Sequence, residues 1–279
     1  MPPSITILVP VYLNEKNLPT TIPKLLDILD RIPHITGKLV FVDDGSNDTS
    51  YSILQNAATE DSRIHVLRLS QNFGAHIALL AGCNYISSDC IAVIMADLQD
   101  PAELILEMVR MWQKGNKIII AERIHRDDDV MTHFFAKIFW WTIRTFGNTK
   151  IPKGGFDFIL FDKEVQKIIC TSRKRNSHFM LQIIHTGFEF MTLPYIRMKR
   201  ITGKSQWNFR KKTKLFIDSV YSFTMLPIYL IIMNCVLTFI LGFNLLLIAC
   251  TLILLGIYIQ RFFEQKSTRP LYTISEKTN

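Results

Sequence analysis

The sequence predicts an α/β fold with a mostly parallel sheet, followed by a membrane segment. Three observations support this prediction. Short apolar runs rich in β-branched residues alternate with helical patterns over the first half of the chain. Acidic turns follow two of these runs, at Asp43-Asp44 and at Asp97. Further on, the chain contains no Asp, Glu, Lys or Arg from Ser219 to Gln260, which is the signature of lipid-buried helix.

The alternating elements begin at the N-terminus. Five apolar runs predict strands, at 5–9, 39–42, 64–69, 91–95 and 117–121. The segment after the first strand predicts a helix, because its apolar residues recur at i, i+3, i+4 and i+7, at Ile22, Leu25, Leu26, Leu29 and Ile32. Strands separated by helices pair in parallel through right-handed crossovers, with helices on both faces of the sheet.

The pattern becomes less regular after Ala121. A charged loop at 122–129 is followed by an aromatic-rich helix predicted over 131–146 and by a turn at Lys153-Gly154-Gly155. A mixed region then runs to about residue 200. We expect one domain over 1–206, an amphipathic helix over 207–224, a transmembrane segment over 225–260 and a tail over 261–279.

The amphipathic helix is predicted from residues 207–223. Its apolar side chains recur at helical spacing, at Phe209, Phe216, Val220 and Phe223. Basic side chains lie beside them, at Arg210, Lys211, Lys212 and Lys214. A helix of this kind lies in the interface of a membrane.

The charge-free tract is too long for one comfortable crossing. As a single helix it would measure about 60 Å, about twice the thickness of the hydrocarbon core. Two passes over 226–241 and 245–260 fit better, with a turn at Gly242-Phe243-Asn244. Basic residues flank the tract on both sides, which places both ends in the cytoplasm. The alternative is one tilted span with an interfacial extension.

Composition and charge favour a membrane partner over nucleic acid. The chain has 279 residues, 48% of them hydrophobic, and a formal net charge of +8. Basic residues crowd into 197–214, just before the apolar tract, and no nucleic-acid-binding motif accompanies them. The five cysteines show no CxxC spacing, as in a reducing cytosol. No signal peptide is visible at the N-terminus, so we expect a multi-pass protein of the cell membrane with its domain in the cytoplasm.

The two acidic turns are the candidate site. Asp43 and Asp44, followed by Gly45-Ser46, are suited to accepting hydrogen bonds from a base or a ribose. The same residue types also make Asx turns and helix starts without any ligand.

The second turn carries candidate metal ligands. Asp97 and Gln99 offer the oxygen atoms that a divalent cation prefers. Asp100-Pro101-Ala102-Glu103 has the pattern of a helix start, with an acidic N-cap and a proline at the first helical position. We therefore expect Asp100 to cap the next helix and not to act as a base.

Several ordered motifs together resemble the family 2 glycosyltransferases of the polyprenyl-phosphate branch, of the dolichyl-phosphate mannose synthase and bactoprenol glucosyltransferase type. The resemblance covers nearly the whole chain. Its motifs are Val9-Pro10-Val11-Tyr12 with Asn14-Glu15, Val42-Asp43-Asp44-Gly45-Ser46, Gln71-Asn72-Phe73-Gly74, Ala96-Asp97-Leu98-Gln99-Asp100-Pro101, Gly154-Gly155-Phe156-Asp157-Phe158, Gly203-Lys204-Ser205-Gln206-Trp207, and a tail from Arg261-Phe262-Phe263-Glu264 to Arg269-Pro270-Leu271-Tyr272.

This resemblance implies a Rossmann-like GT-A fold and a set of site residues. The residues implied to line the nucleotide-sugar pocket are Pro10, Tyr12, Glu15, Asp43, Asp44 and Asp97. Asp97 and Gln99 would meet a divalent cation, Mg²⁺ or Mn²⁺, and the diphosphate. Arg123 and Arg126 would receive the phosphate of the lipid acceptor. The catalytic set implied is Asp97, Arg123 and Asp157, where Asp157 would contact the sugar or hold the neighbouring glycine turn.

The expected reaction is transfer of a sugar from a nucleotide sugar to a polyprenyl phosphate at the bilayer, with inversion. A homo-oligomer is compatible with it. One position departs from the family pattern, since Met95 stands where the D-x-D motif has a carboxylate. A thioether is a poor ligand for a hard cation, so this position leaves the metal affinity of the motif open.

Two other functions are compatible with the sequence. Met95 motivates a membrane-anchored sugar-nucleotide-binding protein without catalysis, and a transferase using another membrane acceptor is a further alternative. A polymerising family 2 enzyme would carry a Q-x-x-R-W motif and more spans, and a lipid scaffold would give no reason for the acidic turns.

Overall fold

The computed structural model describes residues 2–125, 130–147, 151–152, 156–171, 178–198, 209–241, 245–266 and 270–278. Within these ranges the strands are β1 (Ser4–Val11), β2 (Thr36–Asp43), β3 (Ile64–Leu69), β4 (Cys90–Val93), β5 (Ile118–His125), β6 (Ile159–Asp162), β7 (Phe190–Ile196) and β8 (Ile274–Thr278). The helices are α1 (Leu18–Asp30), α2 (Ser50–Glu60), α3 (Ala75–Tyr85), α4 (Leu104–Gln113), α5 (Val130–Phe146), α6 (Lys163–Thr171), α7 (Phe179–Ile184), α8 (Phe209–Phe223), α9 (Leu226–Ile240) and α10 (Leu245–Lys266).

The described strands form one sheet in the order β7-β5-β6-β4-β1-β2-β3-β8. Strands β1 to β4 pair in parallel, and β5 pairs in parallel with β7. β6 runs antiparallel between β4 and β5. The five predicted strands and the mostly parallel sheet are confirmed, although β4 ends at Val93, two residues earlier than expected.

Apolar side chains cover both faces of the central strands, which explains why β1 and β4 are almost entirely apolar. One buried cluster joins one face to α1, α2 and α4, with Ile7, Phe41 and Ile105 at its centre. The second joins the other face to α3, α6, α7 and α8, around Val42 and Phe179. The carboxyl ends of the parallel strands, with their loops, are left at one edge.

The helix start predicted at Asp100 is wrong. α4 begins at Leu104 with Glu103 as its N-cap, and Pro101 to Glu103 form a tight turn before it. The Asp100 side chain is buried and accepts a hydrogen bond from the Tyr195 hydroxyl on β7. The Asp100 carboxylate therefore binds a residue distant in the chain and does not cap α4.

The apolar tract is folded into two helices, α9 and α10, that pack against each other. Their bounds follow the prediction except that α10 continues to Lys266, while the linker at 242–244 lies outside the described residues. At 1.5 Å per residue α9 is about 22 Å long and α10 about 33 Å. Within the described ranges, one helix is long and apolar enough to cross a membrane, at Leu245–Glu264. The helices α8 and α9 meet the same criteria only when they are taken together, across a bend of 83°.

The chain returns to the domain after α10. β8 pairs antiparallel with β3 at the edge of the sheet. Arg261 near the end of α10 also pairs with the buried Asp218 of α8, with 2.6 Å between Nη2 and Oδ1. Both ends of the tract are therefore fastened to the same domain.

Candidate active site

Hydrogen bonds join the loop after β1 to the loop after β2. The Glu15 carboxylate accepts from the backbone N–H of Thr49 at 3.2 Å and from its hydroxyl at 2.8 Å. The Asn14 N–H donates to the Ser50 hydroxyl at 2.9 Å, and the Leu13 N–H to the Ser46 hydroxyl at 3.0 Å. Thr49 is the residue that precedes α2, so Glu15 caps that helix from another loop.

Asp44 performs the same task for α3. Its two carboxylate oxygens accept from the backbone N–H groups of Phe73 at 2.7 Å and Gly74 at 2.8 Å, where Gly74 is the N-cap of α3. Asp44 is buried, and its own N–H donates to the Val11 carbonyl at 2.8 Å. The loops after β1, β2 and β3 are thus held together as one wall.

Gly45 allows the loops after β2 and β3 to approach closely. Its φ of +68° lies in the left-handed region, where glycine avoids the strain that a Cβ brings. A Cβ there would lie only 2.6 Å from the carbonyl carbon of Gln71. The acidic turn therefore depends on glycine for both its conformation and its packing.

Asp43 is fully buried beside Arg68. Its carboxylate accepts from the Ser46 N–H at 3.3 Å and lies 3.5 Å from the Arg68 Nε. Burial raises the pKa of Asp43, while the Ser46 hydrogen bonds and the Arg68 charge oppose that rise. The Asx-type bond considered for this turn is present, and the nucleotide-binding role of Asp43 stays a prediction.

Two further donor-pocket candidates lie on the same wall. Pro10 is buried in β1 opposite Val42, and Tyr12 follows β1 with its N–H donating to the Asn14 side chain at 3.1 Å. Both residues adjoin the Glu15 and Asp44 loops. The structure therefore brings together the candidates on β1, β2 and their loops.

The second acidic turn lies after β4. Leu98 has a φ of +46°, and the Gln99 N–H lies 3.4 Å from the Asp97 Oδ1. The Gln99 carbonyl accepts from the Met198 N–H at 2.9 Å, which ties the turn to the chain after β7. Met95 packs against the buried cluster around Val42.

Asp97 and Gln99 stay the candidate ligands for a divalent cation. Within the described residues, no group of three or more His, Cys, Asp or Glu side chains is arranged to hold a metal ion. One carboxylate and one amide oxygen match the incomplete protein set that Mg²⁺ uses when phosphates and water supply the remaining ligands. The metal-binding role of these two side chains stays a prediction.

A charged cluster lies at the ends of β5 and β7, where Arg123 and Asp100 are buried and Asp157 is partly exposed. Arg123 is 4% exposed, donates to the Tyr195 hydroxyl through Nε at 3.0 Å, and pairs with Asp157 through Nη2. Tyr195 in turn donates to Asp100, and Arg197 Nε lies 3.6 Å from the Asp100 Oδ1. We call these five residues the Arg123 cluster.

The charges in the Arg123 cluster stabilise one another. Burial acts to raise the pKa of Asp157, but Arg123 and Arg197 hold it well below its usual range. Burial likewise acts to lower the pKa of Arg123, and Asp157, Tyr195 and Asp100 more than reverse it. Burial raises the pKa of Asp100 despite the two arginines. Asp157 and Arg123 are therefore ionised together near neutral pH.

The structure places Arg123 and Asp157 in direct contact, while Arg126 lies outside the described residues. Sequence analysis missed Tyr195 and Arg197 as members of this cluster. The signal that could have found them is the parallel pairing of β5 with β7, which brings the chain after Tyr195 to the carboxyl edge. The irregular apolar pattern of β7 concealed that pairing.

Sequence analysis also missed a pair of buried imidazoles. The rings of His76 on α3 and His178 before α7 lie 4.1 Å apart between centroids. Burial lowers the pKa of His76 to about 4 and that of His178 well below its usual value, although the nearby charge of Asp157 opposes both shifts. The pair is therefore neutral at pH 7.

An α/β sheet with acidic turns at the carboxyl ends of its parallel strands defines a Rossmann-like, nucleotide-binding type of domain. The model of the family described as glycosyl transferase family 2 matches residues 6–167. The chain belongs to this family and is a glycosyltransferase.

Relatives agree with this assignment. An uncharacterised glycosyltransferase of Synechocystis is 30% identical, with 98% of this chain and 95% of the relative covered. The bactoprenol glucosyl transferase of Shigella phage SfV is 29% identical over 80% of this chain and 73% of its own length. The expected resemblance to the polyprenyl-phosphate branch is thereby confirmed.

The fold has a solved counterpart. The glucosyl-3-phosphoglycerate synthase of Mycobacterium tuberculosis, in complex with Mn²⁺, uridine diphosphate and phosphoglyceric acid, superposes with a TM-score of 0.55 at 13% identity. The match covers 78% of this chain and 76% of that one. The catalytic domain is therefore GT-A-like.

Proposed function

We propose that this protein is a membrane-bound glycosyltransferase that moves a sugar from a nucleotide sugar to a polyprenyl phosphate. The observation that carries the proposal is the position of the candidate site on a domain to which both ends of an apolar helix pair are fastened. A soluble donor and a lipid acceptor can meet only at such a place. The name of the phage relative, a bactoprenol glucosyl transferase, supports the same acceptor class.

The donor is proposed to bind along the wall made by the loops after β1 and β2. Pro10, Tyr12, Glu15, Asp43 and Asp44 are its proposed residues, and the hydrogen bonds of Glu15 and Asp44 to neighbouring loops hold this wall in shape. A pocket formed in advance loses little entropy when the nucleotide binds.

The donor's diphosphate is proposed to lie over the turn after β4, beside Asp97 and Gln99. A Mg²⁺ or Mn²⁺ ion bound there would neutralise the charge of the leaving diphosphate. Because Met95 supplies no hard ligand, we expect metal affinity to depend on the diphosphate.

In the proposed reaction an oxygen of the polyprenyl phosphate attacks the anomeric carbon. The new carbon–oxygen bond forms as the bond to the diphosphate breaks, and the nucleoside diphosphate leaves with the bonding electrons. A phosphate dianion is nucleophilic near neutral pH, so no strong general base is required. Attack from the face opposite the leaving group inverts the anomeric centre.

Arg123 and Arg126 are proposed to attract the acceptor phosphate. A guanidinium can bind two phosphate oxygens in one plane. Arg123 already binds Asp157 and Tyr195, so an incoming dianion would compete with the Asp157 carboxylate for it. Asp157 would then be released toward the sugar during the reaction.

The membrane segment is proposed to be a hairpin. If α9 crosses near the membrane normal, the 83° bend places α8 almost parallel to the surface, as an interfacial helix requires. The Arg261–Asp218 pair and the return of β8 to the sheet support an even number of crossings. The catalytic domain would then lie on the cytoplasmic side of the cell membrane.

The proposal is tested with membranes that contain the full chain. They are incubated with labelled nucleotide sugars and a polyprenyl phosphate, and label is counted in the lipid extract. We expect label from one donor, loss of it in Asp97→Asn, and retention in Asp61→Asn, whose carboxylate pairs with Arg63 at the surface. Donor binding without label in any lipid would refute the proposed transfer and favour the sugar-nucleotide-binding alternative.

A further inference from the structure

The tail strand β8 carries a carboxylate that contacts two residues of the domain. Glu276 Oε2 accepts from the Tyr51 hydroxyl at 2.9 Å, and Glu276 Oε1 lies 3.2 Å from the Arg68 Nη1. The Arg68 guanidinium also lies over the Tyr51 ring, 4.3 Å from its centroid. Arg68 is thus held on one side by an ion pair and on its face by an aromatic ring.

The other side of Arg68 faces the acidic turn after β2. Its Nε lies 3.5 Å from the Asp43 carboxylate, and its Nη2 donates to the Ser46 carbonyl at 3.4 Å. Asp43 is fully buried, and a buried carboxylate stays ionised only when charge or hydrogen bonds compensate its lost hydration. The Ser46 hydrogen bonds and Arg68 supply that compensation together, and Arg68 also binds the Ser46 carbonyl of the turn.

We propose that Glu276 is a positioning residue for donor binding, which acts by holding Arg68 against the Asp43–Ser46 turn. The inference rests on the proposed function, since it takes this turn as part of the nucleotide pocket. Arg68 is about one-third exposed at its side chain, and a long side chain at that exposure samples several rotamers unless it is anchored. Glu276 provides the anchor from a strand that follows the last membrane helix.

Lys277, the next residue on β8, provides a control that distinguishes the role of the Glu276 side chain from the role of the strand pairing. Successive side chains on a strand point to opposite faces of the sheet. Lys277 pairs with Leu67 in the same ladder, and its amino group lies 5.7 Å from the Tyr85 ring on the other face. Lys277→Ala therefore keeps the pairing of β8 with β3 without touching Arg68.

The experiment measures binding of uridine diphosphate and guanosine diphosphate to the purified full chain by calorimetry, alongside steady-state kinetics. For whichever nucleotide the parent protein binds, we expect Glu276→Ala to raise Kd and the donor KM by about five- to ten-fold. Both kcat and the acceptor KM should stay within about two-fold of the parent values, as should all constants for Lys277→Ala. Glu276→Gln keeps a hydrogen-bond acceptor for Arg68, so its Kd and donor KM should lie between those of the parent protein and those of Glu276→Ala.

A double-mutant cycle tests whether Glu276 acts through Arg68. In an Arg68→Ala background, Glu276→Ala should change Kd by less than two-fold, because the group it positions is gone. Additive effects, or equal effects of Glu276→Ala and Lys277→Ala, would overturn the inference and leave the proposed function standing. If the parent protein binds neither nucleotide, the proposed function fails and this role of Glu276 fails with it. If Glu276→Ala does not fold, the same cycle with Glu276→Gln tests whether Glu276 acts through Arg68.

Discussion

Replacing Gly45 by alanine should disable the acidic turn after β2. A residue with a Cβ at a φ of +68° incurs about 1–2 kcal/mol of backbone strain. The new Cβ would also lie 2.6 Å from the carbonyl carbon and 2.8 Å from the Cα of Gln71. These are backbone atoms, and the chain just beyond them is held by Asp44 through two hydrogen bonds. Overpacking against such an anchored segment costs about 1–3 kcal/mol more.

The expected loss of stability is thus about 2–5 kcal/mol, or about 5–20 °C in Tm for a domain of this size. Gly115→Ala is the matched control, since Gly115 has a φ of +97° but open space within 4 Å of the position that its new methyl group would take. It should show the backbone cost alone, about 1–2 kcal/mol. Tm is measured in detergent by intrinsic fluorescence, and donor binding by calorimetry. Equal losses in the two variants would refute the close packing of the two loops.

Three further predictions concern the buried charges and the topology. Tyr195→Phe should destabilise the protein by about 2–3 kcal/mol, because Arg123 and Asp100 would each lose a buried hydrogen-bond partner; an unchanged Tm would contradict the cluster. Burial lowers the pKa of His76 to about 4 from a normal 6.5, so its contribution to stability is complete above pH 6.5 and is lost as the pH falls toward 4. The unfolding free energy should therefore drop by about 2 kcal/mol between pH 7 and pH 5. Melting curves of the parent protein and His76→Gln over a pH series measure the part of this drop that His76 causes. An impermeant maleimide applied to intact cells should label a single cysteine placed at 242–244 but not one added after the C-terminus, and labelling of the second would exclude the hairpin.

Regular periodicity made the first half of the domain predictable from the sequence. Most side chains in the runs that became β1 to β5 are buried, so these runs are mainly apolar and are bounded by polar turns. The acidic turns could be placed at one edge for the same reason, because carboxyl ends of parallel strands meet there. Local pattern and tertiary structure agreed in these segments.

Prediction from the sequence failed where a contact depends on a residue that is distant in the chain. Asp100 sits in a pattern that matches a helix cap, yet a buried hydroxyl from Tyr195 competes successfully for its carboxylate. Glu15 caps a helix that follows a different strand, which no local spacing reveals. The pairing of β8 with β3 joins residues about 200 positions apart, and a short polar tail carries no periodic signal for it. Such contacts depend on the assembled fold.

The position of β8 in the chain also determines the order in which the elements of the sheet can fold during synthesis. During synthesis β1 to β7 emerge before the apolar tract, and β3 stays at an open edge of the sheet until β8 leaves the ribosome. An open edge is a template for pairing with other chains. Because β8 follows α10 in the chain, the proposed insertion of the helices into the bilayer would come before completion of the sheet. A variant that inserts poorly should therefore accumulate with its catalytic domain unfinished, and should be lost to aggregation and proteolysis before any defect in chemistry is seen.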